Sequence, residues 1–350
     1  MNKTHNKRNY ILFPLLFLIV VCVGLYIVKW NPYYGKAFIA AAKGSIGTSI
    51  LTAGQSAPPP VGWEAALAYA KVYFDAVWKA VILGLLLGSL VQVLIPRIWV
   101  ARILGGNSLK DILFATASAL PGMMCTCCTA PVAVGLRKAG AAIGPAIAFF
   151  LGNPVLNPAT LIFMGFVLGW EFSIFRIIMG LILVIGTAYC ASKFFPQETV
   201  SDMQILEKES TMDNQEHWFT SWMRALKDLI IDTIPAYLIV VFLLGAVRAW
   251  LFPSIDPATA DSLLLVIAFA FAGALFVIPT AAEIPIVQAL LVLGLGIGPS
   301  TSLLMTLPAL SIVSLLLVRR VFPSKILVYL YASVVVVGII SGLIAPMVLG

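Results

Sequence analysis

Leu120-Pro121-Gly122-Met123-Met124-Cys125-Thr126-Cys127-Cys128-Thr129-Ala130-Pro131 is the stretch on which the reading of this chain turns. It sits inside a long apolar region, yet Pro121, Gly122 and Pro131 are expected to break any helix the region forms. Broken backbone at bilayer depth is tolerated where it is buried in protein or lines a water-filled cavity. The same turn gathers three thiols and two thioethers, and soft sulfur ligands suit soft, thiophilic centres. The plainer reading is cysteine as a small buried apolar residue. That reading suits Cys22 and Cys190, each alone in an apolar run. Three cysteines within four positions at a helix break favour function. His5 and His217 lie in polar segments without zinc-ligand spacing to the thiols, so a closed zinc site is not implied.

Working outward, 61% of the 350 residues are hydrophobic and only 11% charged, against about a quarter charged in soluble domains. A soluble enzyme and a disordered chain are both excluded. At ~20 apolar residues per helical span, the chain predicts an all-α polytopic membrane protein of roughly eight to ten membrane segments. The net charge of +7 then reports topology before it reports nucleic-acid binding. Residues 1–30 read as an N-terminal transmembrane helix, not a cleaved signal, because the run is long and ends without a small-x-small site. Lys3, Lys7 and Arg8 place that end in the cytoplasm. Residues 31–63 read as an extracytoplasmic connection with a short surface helix. Residues 64–195 read as a first permease repeat, 196–220 as a cytoplasmic acidic loop and 221–350 as a second repeat.

The two halves are related. Pro131, Gly140, Gly144, Pro145 and Pro154 recur 154 positions later as Pro285, Gly294, Gly298, Pro299 and Pro308. Asn157 and Thr160 then match Ser311 and Ser314. Upstream the offset becomes 157, pairing Asp75 with Asp232. Basic residues follow opposite members of corresponding segments: Arg97, Arg102, Arg137 and Lys138 in one half, Arg319, Arg320 and Lys325 in the other. By the positive-inside rule the repeats are expected to have inverted topology, with 112–136 forming a re-entrant hairpin.

Further candidates follow from position. Pro121, Pro131, Pro154, Pro285 and Pro308 mark expected helix breaks. The G-x-x-x-G pairs Gly140/Gly144 and Gly294/Gly298 read first as close helix packing. Asn153 and Asn157 place amides near a fresh helix start, where they either hold a solute or satisfy freed backbone groups. Asp75, Asp232 and Glu283 are proton-coupling candidates, because ionisable groups at membrane depth mark pathways by default. No P-loop is present, so ATP coupling within the chain is unsupported. No cofactor, nucleic-acid partner or enzymatic constellation is implied. The partners expected are the lipid bilayer and a small-molecule substrate, with a homo-oligomer left open.

The cysteine segment, followed by G-x-x-x-G-P, N-P-x-x-N and a second Pro/Gly-rich repeat, resembles the predicted permease family UPF0718 over roughly 64–349. That family includes YraQ-like proteins and ArsP-type organoarsenical efflux permeases. The resemblance implies a multispanning permease of a bacterial cytoplasmic membrane. For ArsP-type members it implies export of trivalent organoarsenicals, with a cysteine pair of this motif holding the arsenic. Carried over, Cys125, Cys127 and Cys128 are the candidate metalloid ligands. This chain reads C-T-C-C where arsenical permeases read closer to C-x-C-S, so Cys128 either adds a thiol or replaces a serine. A membrane thiol redox protein working through Cys125 and Cys127, and a permease for another solute with structural cysteines, are the other readings.

Overall fold

The apolar stretches condense into helices because a backbone in lipid must satisfy its own hydrogen bonds. The computed structural model describes residues 3–50, 61–195, 218–251 and 262–350, and among them there is helix and no strand. Seven described helices are long and apolar enough to cross a membrane. Leu263–Leu275 and Glu283–Val292 are shorter apolar helices. The protein is an all-α polytopic membrane protein.

Helix α1 (Lys3–Leu25) runs through a π-helical turn, Tyr26–Trp30, into α2 (Asn31–Lys43). The first helix therefore does not stop near residue 30. It continues to Lys43, where Gly44 ends it in a left-handed conformation. Helices α3 (Trp63–Leu94) and α4 (Arg97–Leu104) follow, then α5 (Leu109–Ala119), a 3₁₀ turn (Leu120–Gly122) and α6 (Thr126–Lys138). Next come α7 (Ile143–Val155), α8 (Pro158–Val167), α9 (Trp170–Leu181), a π-turn (Ile182–Gly186) and α10 (Thr187–Phe194). The second half holds α11 (Trp218–Leu251), α12 (Leu263–Leu275), α13 (Glu283–Val292), α14 (Ile297–Ala309), α15 (Ile312–Val318) and α16 (Ser324–Leu349). The acidic loop falls outside the described residues except for 218–220, which open α11.

The sequence repeat is also a repeat of elements. Helices α7 and α14 begin and end 154 positions apart, and α9 and α16 begin at the same offset. N-caps repeat too: Ser108 and Ser262 each accept a backbone N–H, as do Asn157 and Ser311. Counterparts α3 and α11 pack antiparallel. Trp222 Nε1 donates to Ser89 Oγ at 3.1 Å, while further up α3 the Tyr69 ring lies against Gly245. Helices α5 and α6 fold back as a hairpin. Its outer ends meet where Ala142 N–H donates to the Leu104 carbonyl at 2.7 Å and Gly144 N–H to Asn107 Oδ1 at 3.2 Å.

Close backbone approach holds the hairpin to α3. A Cβ at Gly84 would meet the Cys128 carbonyl, and one at Gly88 the Pro131 carbonyl. These two glycines on one face form the small-xxx-small contact. In the pairs read from sequence only the second glycine packs closely, Gly144 on Ala188 and Ser192 and Gly298 on Gly342; Gly140 and Gly294 precede α7 and α14, with φ of +105° and +93°. Each makes a turn that a side chain would strain. Gly88→Leu is expected to reach the upper end of the ~1–3 kcal/mol cost of overpacking, read as a lowered melting temperature in detergent. Gly35→Ala, with nothing within 4 Å of a new Cβ, is the neutral control.

Candidate solute site at the helix breaks

A membrane helix that stops inside the protein leaves its end groups unpaired, and here four such ends meet. The 3₁₀ turn and residues 123–125 separate α5 from α6, and 276–282 separate α12 from α13. Leu156 and Asn157 separate α7 from α8, and Leu310 and Ser311 separate α14 from α15. Met124, Cys125, Thr126, Thr280, Glu283 and Pro308 line one small cavity among these breaks. In this conformation it has room for about one water. Among the described residues, the two non-glycine positions with positive φ are Met123 (+47°) and Ala281 (+68°). One lies in the break before α6 and the other in the break before α13, and outliers of this kind cluster at functional sites.

The breaks are held by side chains. Asn153 Oδ1 accepts the Met124 N–H at 2.8 Å, tying the cysteine turn to α7. Asn157 Oδ1 accepts from Ala159 N–H at 3.1 Å and Thr160 N–H at 3.3 Å, capping α8. Pro158 disfavours the helical conformation at Asn157, which is why the chain breaks there. Asn157 Nδ2 is buried with no hydrogen-bond partner. Asn157→Ala is expected to cost about 1 kcal/mol through the lost cap, measurable as a small drop in thermal stability.

Cys125 is the N-cap of α6 and Cys128 stands one turn on, so their sulfurs converge at 2.8 Å. Cys127 also reaches Ser311 Oγ at 3.4 Å and the Tyr73 hydroxyl at 3.9 Å. All three are buried. Among the described residues no three cysteine, histidine or carboxylate side chains converge as a metal-ion ligand set. The closest sulfur contact is Cys125 with Cys128, and Cys127 also lies within reach of Cys125.

Opposite the thiols lies a buried ion pair. Arg176 on α9 donates Nη1 to Glu283 Oε1 at 2.9 Å. It donates Nε to the Val155 carbonyl and Nη2 to the Pro154 carbonyl, each at 3.1 Å. The guanidinium fork therefore satisfies the orphan carbonyls ending α7 and pins them to the start of α13. Glu283 Oε2 is buried without a partner and Glu283 lines the cavity.

The other expected residues fall elsewhere. Asp75 is exposed on the outer face of α3, away from the cavity. Asp232 pairs with Arg320 at a partly exposed position. Of the three coupling candidates only Glu283 reaches the breaks. Pro121 lies in a break, but Pro131 is inside α6, which runs through it. One missing rung is offset there by the broad contact with α3. Pro154 and Pro308 lie one residue inside the ends of α7 and α14. Pro285 sits in the first turn of α13, where its absent N–H costs nothing. Arg176, Lys29, Tyr73 and Tyr237, whose ring lies 6.3 Å from that of Tyr73, were not anticipated. A lone arginine or lysine in an apolar run is itself a signal; the two tyrosines carry none.

Residues 77–347 match the ArsP_1 family, described as predicted permeases. UPF0718 protein YraQ of Escherichia coli (strain K12) is 52% identical over 331 residues, covering 94% of this chain and 93% of that protein. UPF0718 protein MJ0584 of Methanocaldococcus jannaschii is 24% identical over 335 residues, covering 77% of this chain and 92% of that one. No solved structure matches. A chain with apolar membrane-length helices and a match over most of its length is a membrane permease, and it belongs to the ArsP_1 family of predicted permeases.

Proposed function

We propose that this permease exports a small thiophilic solute, such as a trivalent organoarsenical, across a bacterial cytoplasmic membrane. The observation that carries the reading is the convergence of Cys125 and Cys128 beside the cavity where four helix ends meet. A trivalent arsenical RAs(OH)₂ condenses with two thiols, forming two As–S bonds and releasing two waters. A vicinal pair supplies both sulfurs, and soft ligands suit that centre. The antiparallel packing of α3 on α11 supports two inverted repeats with the pathway between them, and the basic residues Lys3, Lys7 and Arg8 favour a cytoplasmic N-terminus. Glu283, with one free buried oxygen, is the favoured proton-coupling residue.

The test is complementation of a deletion strain challenged with phenylarsine oxide and other thiophiles. Wild type restores growth, while Cys125→Ser and Cys128→Ser do not, at equal membrane abundance. Growth unchanged in both variants would remove the thiols from the mechanism. A second reading has one observation behind it: Cys125 and Cys128 stand three residues apart at a helix N-terminus, where thiolates are stabilised and exchange disulfides. Catalysed dithiol oxidation in vesicles without solute movement would select it. A solute panel without thiophile dependence would leave a permease with structural cysteines.

A further inference from the structure

The N-terminal helix lies before the residues that match the permease family, and its apolar span is mostly exposed. At one point it reaches inward. The π-turn Tyr26–Trp30 inserts an extra residue into the helix, and such turns recur at functional sites. Lys29 on that turn is only 3% exposed. Its Nζ donates to Tyr33 Oη and to Thr280 Oγ1, each at 3.2 Å. Thr280 is a wall of the cavity. The neighbouring Trp30 donates Nε1 to the Pro121 carbonyl at 2.8 Å, fastening the turn to the cysteine break. The groups that face the Lys29 charge are Tyr33, Cys128 and Cys125.

A charge count shows what this position asks for. Among the described residues the buried ionisable side chains with fixed charge are Lys29, Arg137, Arg176 and Glu283. Arg176 and Glu283 cancel each other. Arg137 lies at the far end of α6, on the Ala141 carbonyl and over the Phe322 ring. Lys29 therefore has no partner among the fixed charges, and the groups it faces, Tyr33, Cys125 and Cys128, match it only by ionising. The N-termini of α6 and α13 add their positive dipole ends to the same cavity. A buried cation with no fixed counter-charge is costly, so the site favours negative charge, supplied by a facing thiolate or by an incoming anionic group.

We infer that Lys29 is a solute-binding residue: its ammonium pairs with an anionic group on the thiophilic solute while Cys125 and Cys128 hold the soft centre. The inference rests on the thiol reading above. It makes the N-terminal helix part of the site, and it makes anionic thiophiles the preferred class.

Alkylation of the native protein in membranes tests it with a matched pair of small reagents, anionic iodoacetate and neutral iodoacetamide. Rates at Cys125 and Cys128 are read by mass spectrometry. Taking the ratio of the two rates cancels changes in thiol reactivity. Wild type is expected to give a ratio above that of free N-acetylcysteine. Lys29→Met is expected to lower the ratio by about tenfold, a conservative figure for one nearby charge in a partly shielded site, and Lys29→Arg to keep it. An equal ratio in wild type and Lys29→Met overturns the inference and leaves the thiol reading standing. No alkylation of either thiol by either reagent removes both. If Lys29→Met fails to reach the membrane, Thr280→Val removes the hydrogen bond that positions Lys29 and is expected to shift the ratio the same way. Protection of the thiols reads the solute preference directly. Lys29→Met should lose protection by 4-carboxyphenylarsine oxide and keep that by phenylarsine oxide; equal loss of both overturns the assignment.

Discussion

Arg176→Met is expected to destabilise the folded protein by about 3–5 kcal/mol, the cost of removing one partner from a buried ion pair. The substitution strands more than Glu283. Arg176 also satisfies the carbonyls of Pro154 and Val155, so three buried acceptors lose their donor at once. Each unsatisfied buried acceptor adds to the loss. Glu283→Gln should be milder, because the amide oxygen still accepts from Nη1 and the two backbone contacts survive. Placing Glu283→Gln on Arg176→Met should recover part of the loss, since no uncompensated carboxylate then remains. Thermal unfolding of the detergent-solubilised protein checks the series. Equal melting temperatures for wild type and Arg176→Met would mean that the pair does not join the two halves.

The second large effect concerns the thiols. Two sulfurs on one rigid turn bind a trivalent centre as a chelate, and the second bond forms within the molecule. Losing either sulfur forfeits that effective concentration, about 10²-fold or more in affinity. Cys125→Ser and Cys128→Ser should therefore each abolish protection against phenylarsine oxide. Cys127→Ser should retain more of it, because that sulfur also bonds Tyr73 and Ser311. Isothermal titration of the purified protein with phenylarsine oxide separates the three variants. Comparable losses in all three would point to a tripod of sulfurs, and a loss confined to Cys127→Ser would point away from the pair.

Much of this architecture was legible in the residues. Proline and glycine punctuate an apolar chain visibly, so the repeat at an offset of 154 and the cysteine break could be read directly. Exact break positions could not. Pro131 continues its helix, whereas the break near Pro154 falls after it, at an asparagine followed by Pro158. A proline costs one rung, and packing against α3 decides whether that cost ends the helix.

The site divides along the same line. By itself, the sequence determined a polytopic helical protein in two related halves, with soft thiols at a helix break in one half and a carboxylate in the other. Composition, punctuation and charge are local properties that survive without coordinates. Which thiols form a pair, which carboxylate reaches the cavity, and that Arg176 and Lys29 meet there were decided only by the tertiary structure. Glu283 and Arg176 are 107 positions apart, and Lys29 and Thr280 are 251 apart. Contacts at such separations depend on how whole helices cross and rotate, which no short stretch of sequence encodes.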